Sequence, residues 1–116
     1  MSAVLNRRHL LACAAGFPVA WATMSKGDVS KARTHTVEIV DLAFNPPILN
    51  VTIGDKVRWV NHDLSPHTAT ATDGSWDTEE LVKSQSGEIE ITAATFPRYF
   101  CAYHPSMEGE IVIYSE

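Results

Sequence analysis

The chain has 116 residues, 45% of them hydrophobic and 20% charged, with a formal net charge of -5. That length suits one domain and a short leader. The acidic balance argues against a nucleic-acid ligand, whose phosphates select a basic face.

Residues 1–22 read as an export signal. Arg7-Arg8 gives a positive start, Leu10 to Val19 are mostly apolar and small, and Ala20-Trp21-Ala22 offers a small-x-small cleavage site. Asn6-Arg7-Arg8-His9-Leu10-Leu11 resembles a twin-arginine signal, which points to a periplasmic destination. The apolar run is too short for a bilayer, which takes about 20 residues, so no stable membrane insertion is expected once the signal is removed. Cys13 and Cys101 allow one disulfide on paper, but cleavage removes Cys13. The single thiol left in an exported protein then points to metal ligation, reactivity or intermolecular pairing. Residues 23–34 are polar without periodicity and read as a flexible lead-in.

From 35 to 116 the pattern is that of short strands. Val37 and Ile39 flank Glu38, Val51 and Ile53 flank Thr52, Lys56-Val57-Arg58-Trp59 alternates strictly, Ile89 and Ile91 alternate with Glu88 and Glu90, and Ile111 and Ile113 follow Glu110. A period of two marks half-buried strands. Turn chemistry separates them at Asn45-Pro46-Pro47, Gly54-Asp55, Asp73-Gly74-Ser75 and Ser86-Gly87. Asp77–Ser84 has room for two helical turns at most and reads equally well as a loop. The fold class is therefore all-β, a Greek-key sandwich or a small barrel.

The chemistry concentrates in Cys101-Ala102-Tyr103-His104-Pro105-Ser106-Met107. A thiol, an imidazole and a thioether fall within seven residues at the end of the aromatic stretch Arg98-Tyr99-Phe100. Pro105 is expected to end the strand and let His104 and Met107 curl back toward the sulfur. Met107 is the one thioether available inside the domain, since Met1 starts the signal and Met24 lies in the lead-in. A fourth donor would be a second histidine. His67, after Pro66, ranks modestly above His62, while His35 and His62 have polar neighbours and suit a solvated role. Two imidazoles, a thiolate and a thioether suit a mononuclear copper site that passes single electrons. Methionine is a poor Zn²⁺ ligand, and a hydrolase built on Cys101 and His104 lacks an evident oxyanion site.

Val51 to Asn61, then Pro66-His67, then Cys101 to Met107 strongly resemble the cupredoxins, the small blue copper proteins. The C-x-x-H-x-x-M spacing resembles the short ligand loop of the amicyanin type. The resemblance covers residues 35–116 and implies an eight-stranded, two-sheet β-sandwich. It also implies one copper per chain, held by His67 Nδ1, the Cys101 thiolate, His104 Nδ1 and an axial Met107. The implied protein is a monomeric electron carrier rather than an enzyme, serving redox proteins such as a c-type cytochrome or a dehydrogenase. The rival on the same fold is a periplasmic copper-binding, storage or delivery protein.

The chain departs from the family pattern in three ways. Thr68 and Ala102 replace the usual asparagine and serine or threonine, so the side-chain tie between ligand segments is not expected in its usual form. Tyr103 replaces a proline, and its N–H is expected to donate to the Cys101 sulfur and raise the reduction potential. Ser106 and Glu108 are expected to make the docking surface more polar. Asp73, Asp77, Glu79 and Glu80 read either as a solvated loop or as a patch for a lysine-rich cytochrome.

Overall fold

Among the described residues, alternation of apolar and polar side chains builds eight strands: β1 (Thr34–Val40), β2 (Ala43–Asn45), β3 (Ile48–Thr52), β4 (Lys56–Asn61), β5 (Thr70–Ala71), β6 (Ser86–Glu90), β7 (Arg98–Cys101) and β8 (His104–Tyr114). The computed structural model describes residues 32–115. The expected signal at 1–22, with Cys13, and most of the lead-in lie outside the described residues. No helix among the described residues is long and apolar enough to cross a membrane. The Asp77–Ser84 segment is a loop, carrying isolated bridges at Asp77 and Leu81.

The strands form two four-stranded sheets, in the orders β2-β1-β4-β6 and β3-β8-β7-β5. This is the expected all-β sandwich. Each sheet is mixed, because β1 pairs parallel with β4 and β3 pairs parallel with β8. After β2 the chain crosses from one sheet to the other at every connection until β7. Period-two patterning turns Val37, Ile39, Val57 and Trp59 inward from one sheet and Tyr99, Cys101 and Ile111 from the other, and these residues share one buried core. Cys101 and Met107 are thus packed as core residues at one end of the sandwich.

Two turns border the region where the candidate ligands gather. β1 and β2 are joined by the two-residue turn Asp41-Leu42, with Val40 opposite Ala43. Both turn residues have positive φ, 53° and 60°, as the hairpin turn that matches strand twist demands. Leucine is a poor occupant of that backbone region, so something must hold it there. Nearer the C-terminus, Ala102 and Tyr103 connect Cys101 to its ladder partner His104. Phe100 then pairs with Glu108 across a register shift, so Pro105, Ser106 and Met107 have no partners opposite them. The strand end expected at Pro105 is not found. β8 instead runs from His104 through Pro105, and the bulge absorbs the residue that lacks an N–H.

Candidate metal centre

His67 enters the site from the loop after β4. Asn61, fully buried at the end of that strand, shapes the loop. Its Nδ2 donates to Ser65 O at 2.9 Å and to Leu81 O at 2.8 Å, and its Oδ1 accepts from Asp63 N at 2.9 Å. The turn so formed aims Asp63 at the ring of His67, four residues on. Asp63 Oδ2 lies 2.9 Å from His67 Nε2. A carboxylate only accepts, so Nε2 carries the proton and the Nδ1 lone pair is left facing the opposite way.

What Nδ1 faces is Cys101. His67 Nδ1 is 3.7 Å and His104 Nδ1 3.9 Å from Cys101 Sγ. One donor atom from each of the three residues lies within 4.8 Å of the others. The two imidazole rings stand 5.0 Å apart at 61°. Those sulfur–nitrogen separations are long for hydrogen bonds. They match two metal bonds of about 2.0–2.3 Å meeting at an open angle, which span about 3.8 Å. His67 and Cys101 are fully buried, Met107 is 4% exposed, and His104 is partly exposed. Met107 sits in the unpaired bulge and lines a cleft with Leu42, Phe44, Pro47, Ser106 and Glu108. The structure therefore brings together His67, Cys101 and His104, and buries Met107 in the adjoining core. The other two histidines of the domain have different partners. His35 Nε2 is 2.8 Å from Asp55 Oδ2, and His62 is exposed, 3.9 Å from Glu38. His35 is thus tied down rather than simply solvated.

Hydrogen bonds join the two segments that carry the candidate ligands. Thr68 N–H donates to Cys101 Sγ at 3.4 Å, and Ala102 N–H donates to Thr68 Oγ1 at 2.8 Å. The tie not expected in its usual form is thus made in another, by a threonine hydroxyl to a backbone amide. Among the described residues, the amide that reaches the sulfur is that of Thr68. The bond expected from Tyr103 N–H, within the tight turn, is not made. Tyr103 is instead 48% exposed, and its phenol donates to Glu80 Oε1 at 2.9 Å. The Glu80 carboxylate beside it pushes the Tyr103 phenol up.

Asp63 is the residue of the candidate site that sequence reasoning passed over. Its Oδ1 accepts from Asp41 N at 2.8 Å and its Oδ2 from Leu42 N at 2.9 Å. Burial alone would push this carboxyl up, but the Leu42 and Asp41 amides and His67 more than offset it and hold the carboxyl below its usual range. The available signal was an Asn-x-Asp turn ending four residues before a histidine.

The donor set of two imidazole nitrogens and a cysteine sulfur, with the thioether of Met107 buried in the same core cluster, fits copper better than zinc or a hard cation. Comparison with known proteins agrees with that chemistry. A family model described as a cupredoxin-like domain matches residues 12–113. Amicyanin of Paracoccus denitrificans is 30% identical over 82 residues, covering 66% of this chain and 63% of its own length, so the matched segment spans less than two thirds of that relative. A solved structure of an amicyanin variant in its Cu(I) form superposes with a TM-score of 0.63 at 27% identity, covering 70% of this chain and 82% of that one. A copper-containing nitrite reductase from Thermus scotoductus SA-01 gives the same TM-score and identity, over 72% of this chain but only 23% of its own. With its two mixed sheets, its converging histidines and cysteine at one end, and a family match over most of its length, the chain belongs to the cupredoxin-like domain family.

Proposed function

We propose that the chain is a type 1 copper electron carrier in which His67 Nδ1, Cys101 Sγ, His104 Nδ1 and Met107 hold one copper ion. The observation that carries this reading is the convergence of two Nδ1 atoms on the Cys101 sulfur, with the tautomer of His67 fixed by Asp63. A bound copper ion supplies a one-electron Cu(I)/Cu(II) couple. The protein's part is to keep the ligands still. Two ligand side chains are fully buried, the sulfur accepts a backbone N–H, and Thr68 locks the His67 segment to the Cys101 turn. A preorganised, dry ligand set favours little rearrangement between oxidation states.

His104 is the most exposed of the four residues, so it offers the contact point for a redox partner. Two histidines, a cysteine and a methionine leave no open position for a substrate, so a carrier is favoured over an enzyme. The partners inferred are redox proteins such as a c-type cytochrome or a dehydrogenase. The acidic side chains Asp73, Asp77, Glu79 and Glu80 are offered to a basic one, and that encounter should weaken as salt is added. The twin-arginine-like start supports a periplasmic location.

Protein-film voltammetry tests the carrier role. A reversible one-electron wave with fast exchange is expected. A chain that gives up its copper readily to a metal-free acceptor and shows no reversible wave would instead be a copper-handling protein.

A further inference from the structure

The bond from Ala102 N–H to Thr68 Oγ1 does not end at Thr68. Thr68 Oγ1 lies 2.9 Å from Thr70 Oγ1, and Thr70 Oγ1 donates to Asp77 Oδ1 at 3.0 Å. A hydroxyl has one proton. Because that of Thr70 is given to Asp77, the Thr68 hydroxyl must donate to Thr70, which leaves the Thr68 lone pairs for Ala102 N–H. Every bond in the row points one way, outward from the ligand turn to the carboxylate. Such a row strengthens each member by polarising the next. Thr68 is buried, Thr70 half-buried and Asp77 exposed, so the row runs from the site to the surface.

The strand of loop that carries Asp77 is itself tied to the ligand segment. Leu81 N–H donates to His67 O at 2.8 Å and His67 N–H to Leu81 O at 3.1 Å. Thr78 N–H donates to Ala69 O, and Ala69 N–H to Thr78 Oγ1, both at 3.0 Å. Asp77 Oδ1 also accepts from Glu79 N at 2.8 Å, which fixes the carboxylate. The far end of the row is thus held by an element registered on His67.

We propose that Thr70 and Asp77 are positioning residues for the copper centre, acting through the Thr68 hydroxyl on the Ala102 amide and so on the Cys101 turn. The effect on the reduction potential rests on the proposed copper site; the effect on the Ala102 amide does not.

The test compares the full chain with Thr70→Val, Asp77→Asn, the double variant, and Thr70→Ser, which keeps the hydroxyl. In the metal-free chain, amide exchange at Ala102 is expected to quicken about five-fold or more in Thr70→Val, the scale of losing one ordinary hydrogen bond. Thr70→Ser should restore it. In the copper-loaded chain, Asp77→Asn should raise the potential, and that rise should shrink or vanish when Thr70 is valine, because neighbours that act in series are not additive. Unchanged Ala102 exchange in Thr70→Val overturns the proposal. An Asp77→Asn shift of equal size in both backgrounds overturns it as well, since the charge would then act directly through space. Should the chain bind no copper, the copper reading fails and the exchange comparison alone decides the positioning role.

Discussion

Asp63 and His67 are joined by a 2.9 Å hydrogen bond that couples a ring of the candidate metal centre to a strained turn. The same carboxylate caps both amides of Asp41-Leu42, where leucine sits at a φ of 60°. One side chain therefore sets the tautomer of a proposed ligand and holds the β1–β2 hairpin closed.

Replacing Asp63 with alanine should separate these two roles. Copper affinity, measured by competition with a chelator, is expected to fall about 10- to 100-fold, the usual effect of losing the partner of a metal-binding histidine. Stability should fall by about 2 kcal/mol as two amides lose their acceptor. Adding Leu42→Gly should recover much of the stability, since glycine accepts positive φ without strain and Leu42 is 53% exposed and gives up little burial. It should not recover the affinity. Parallel recovery of both would show that Asp63 acts on the metal site only through the fold.

A second carboxylate fastens the start of the domain. Asp55 accepts from Arg33 N at 3.1 Å, Thr52 N at 3.0 Å and His35 Nε2 at 2.8 Å, and it is 5% exposed. Burial alone would raise its carboxyl, but the Thr52 amide, His35 and the Arg33 amide outweigh this and hold it below the usual 3.8. A carboxyl depressed in the folded state stabilises the fold above its unfolded pKa and loses that contribution as pH falls through the folded value. Asp55→Asn should therefore cost about 2–3 kcal/mol at neutral pH. In denaturant titrations across pH, the gap from the parent chain should stay level down to 3.8 and narrow only below it. A gap that closes around neutrality would contradict this assignment.

Tyr99 and Gly109 are ladder partners on β7 and β8. The Tyr99 ring lies across the glycine so closely that a Cβ built there would overlap Tyr99 Cζ and Oη. Gly109→Ala should lower stability by roughly 1–3 kcal/mol, the range for forced overpacking. Because Tyr99 is two residues from Cys101, the absorption of the copper-loaded form should shift too. Burial pushes the Tyr99 phenol up to about 12 against an opposing contribution from the Trp59 side chain, and neither the Tyr99 hydroxyl nor Trp59 Nε1 makes a well-formed hydrogen bond among the described residues. Removing it should thus be harmless. Tyr99→Phe is expected to leave the melting temperature unchanged or raise it. A marked drop would reveal a partner for that hydroxyl.

The sheets and the grouping of the candidate ligands on the Cys101 turn were legible because they follow short-range rules. Alternation at Val37, Ile39, Val57 and Trp59 reports burial directly, and the three- and six-residue steps from Cys101 to His104 and Met107 keep those side chains near one another in any tight turn. Asp63 was not legible. Its importance comes from amides 21 and 22 residues away in sequence, and in the string Asn61-His62-Asp63 it looks like ordinary loop polarity. The contact that Thr68 makes was not legible for a related reason. The familiar tie is associated with one residue type, yet any buried oxygen within reach of Ala102 N–H can accept the same bond. Pro105 looks locally like a strand breaker, whereas the register shift between Phe100 and Cys101 leaves room for it inside β8.

Whether Cys101, with His67, His104 and Met107, forms a blue copper centre is tested most directly by titrating Cu²⁺ into the purified metal-free chain while recording the visible spectrum. One equivalent should produce an intense thiolate-to-copper band, and Cys101→Ser should abolish that band while leaving the fold intact by circular dichroism. A folded parent chain that stays colourless with copper, or a Cys101→Ser chain that turns equally blue, would contradict it.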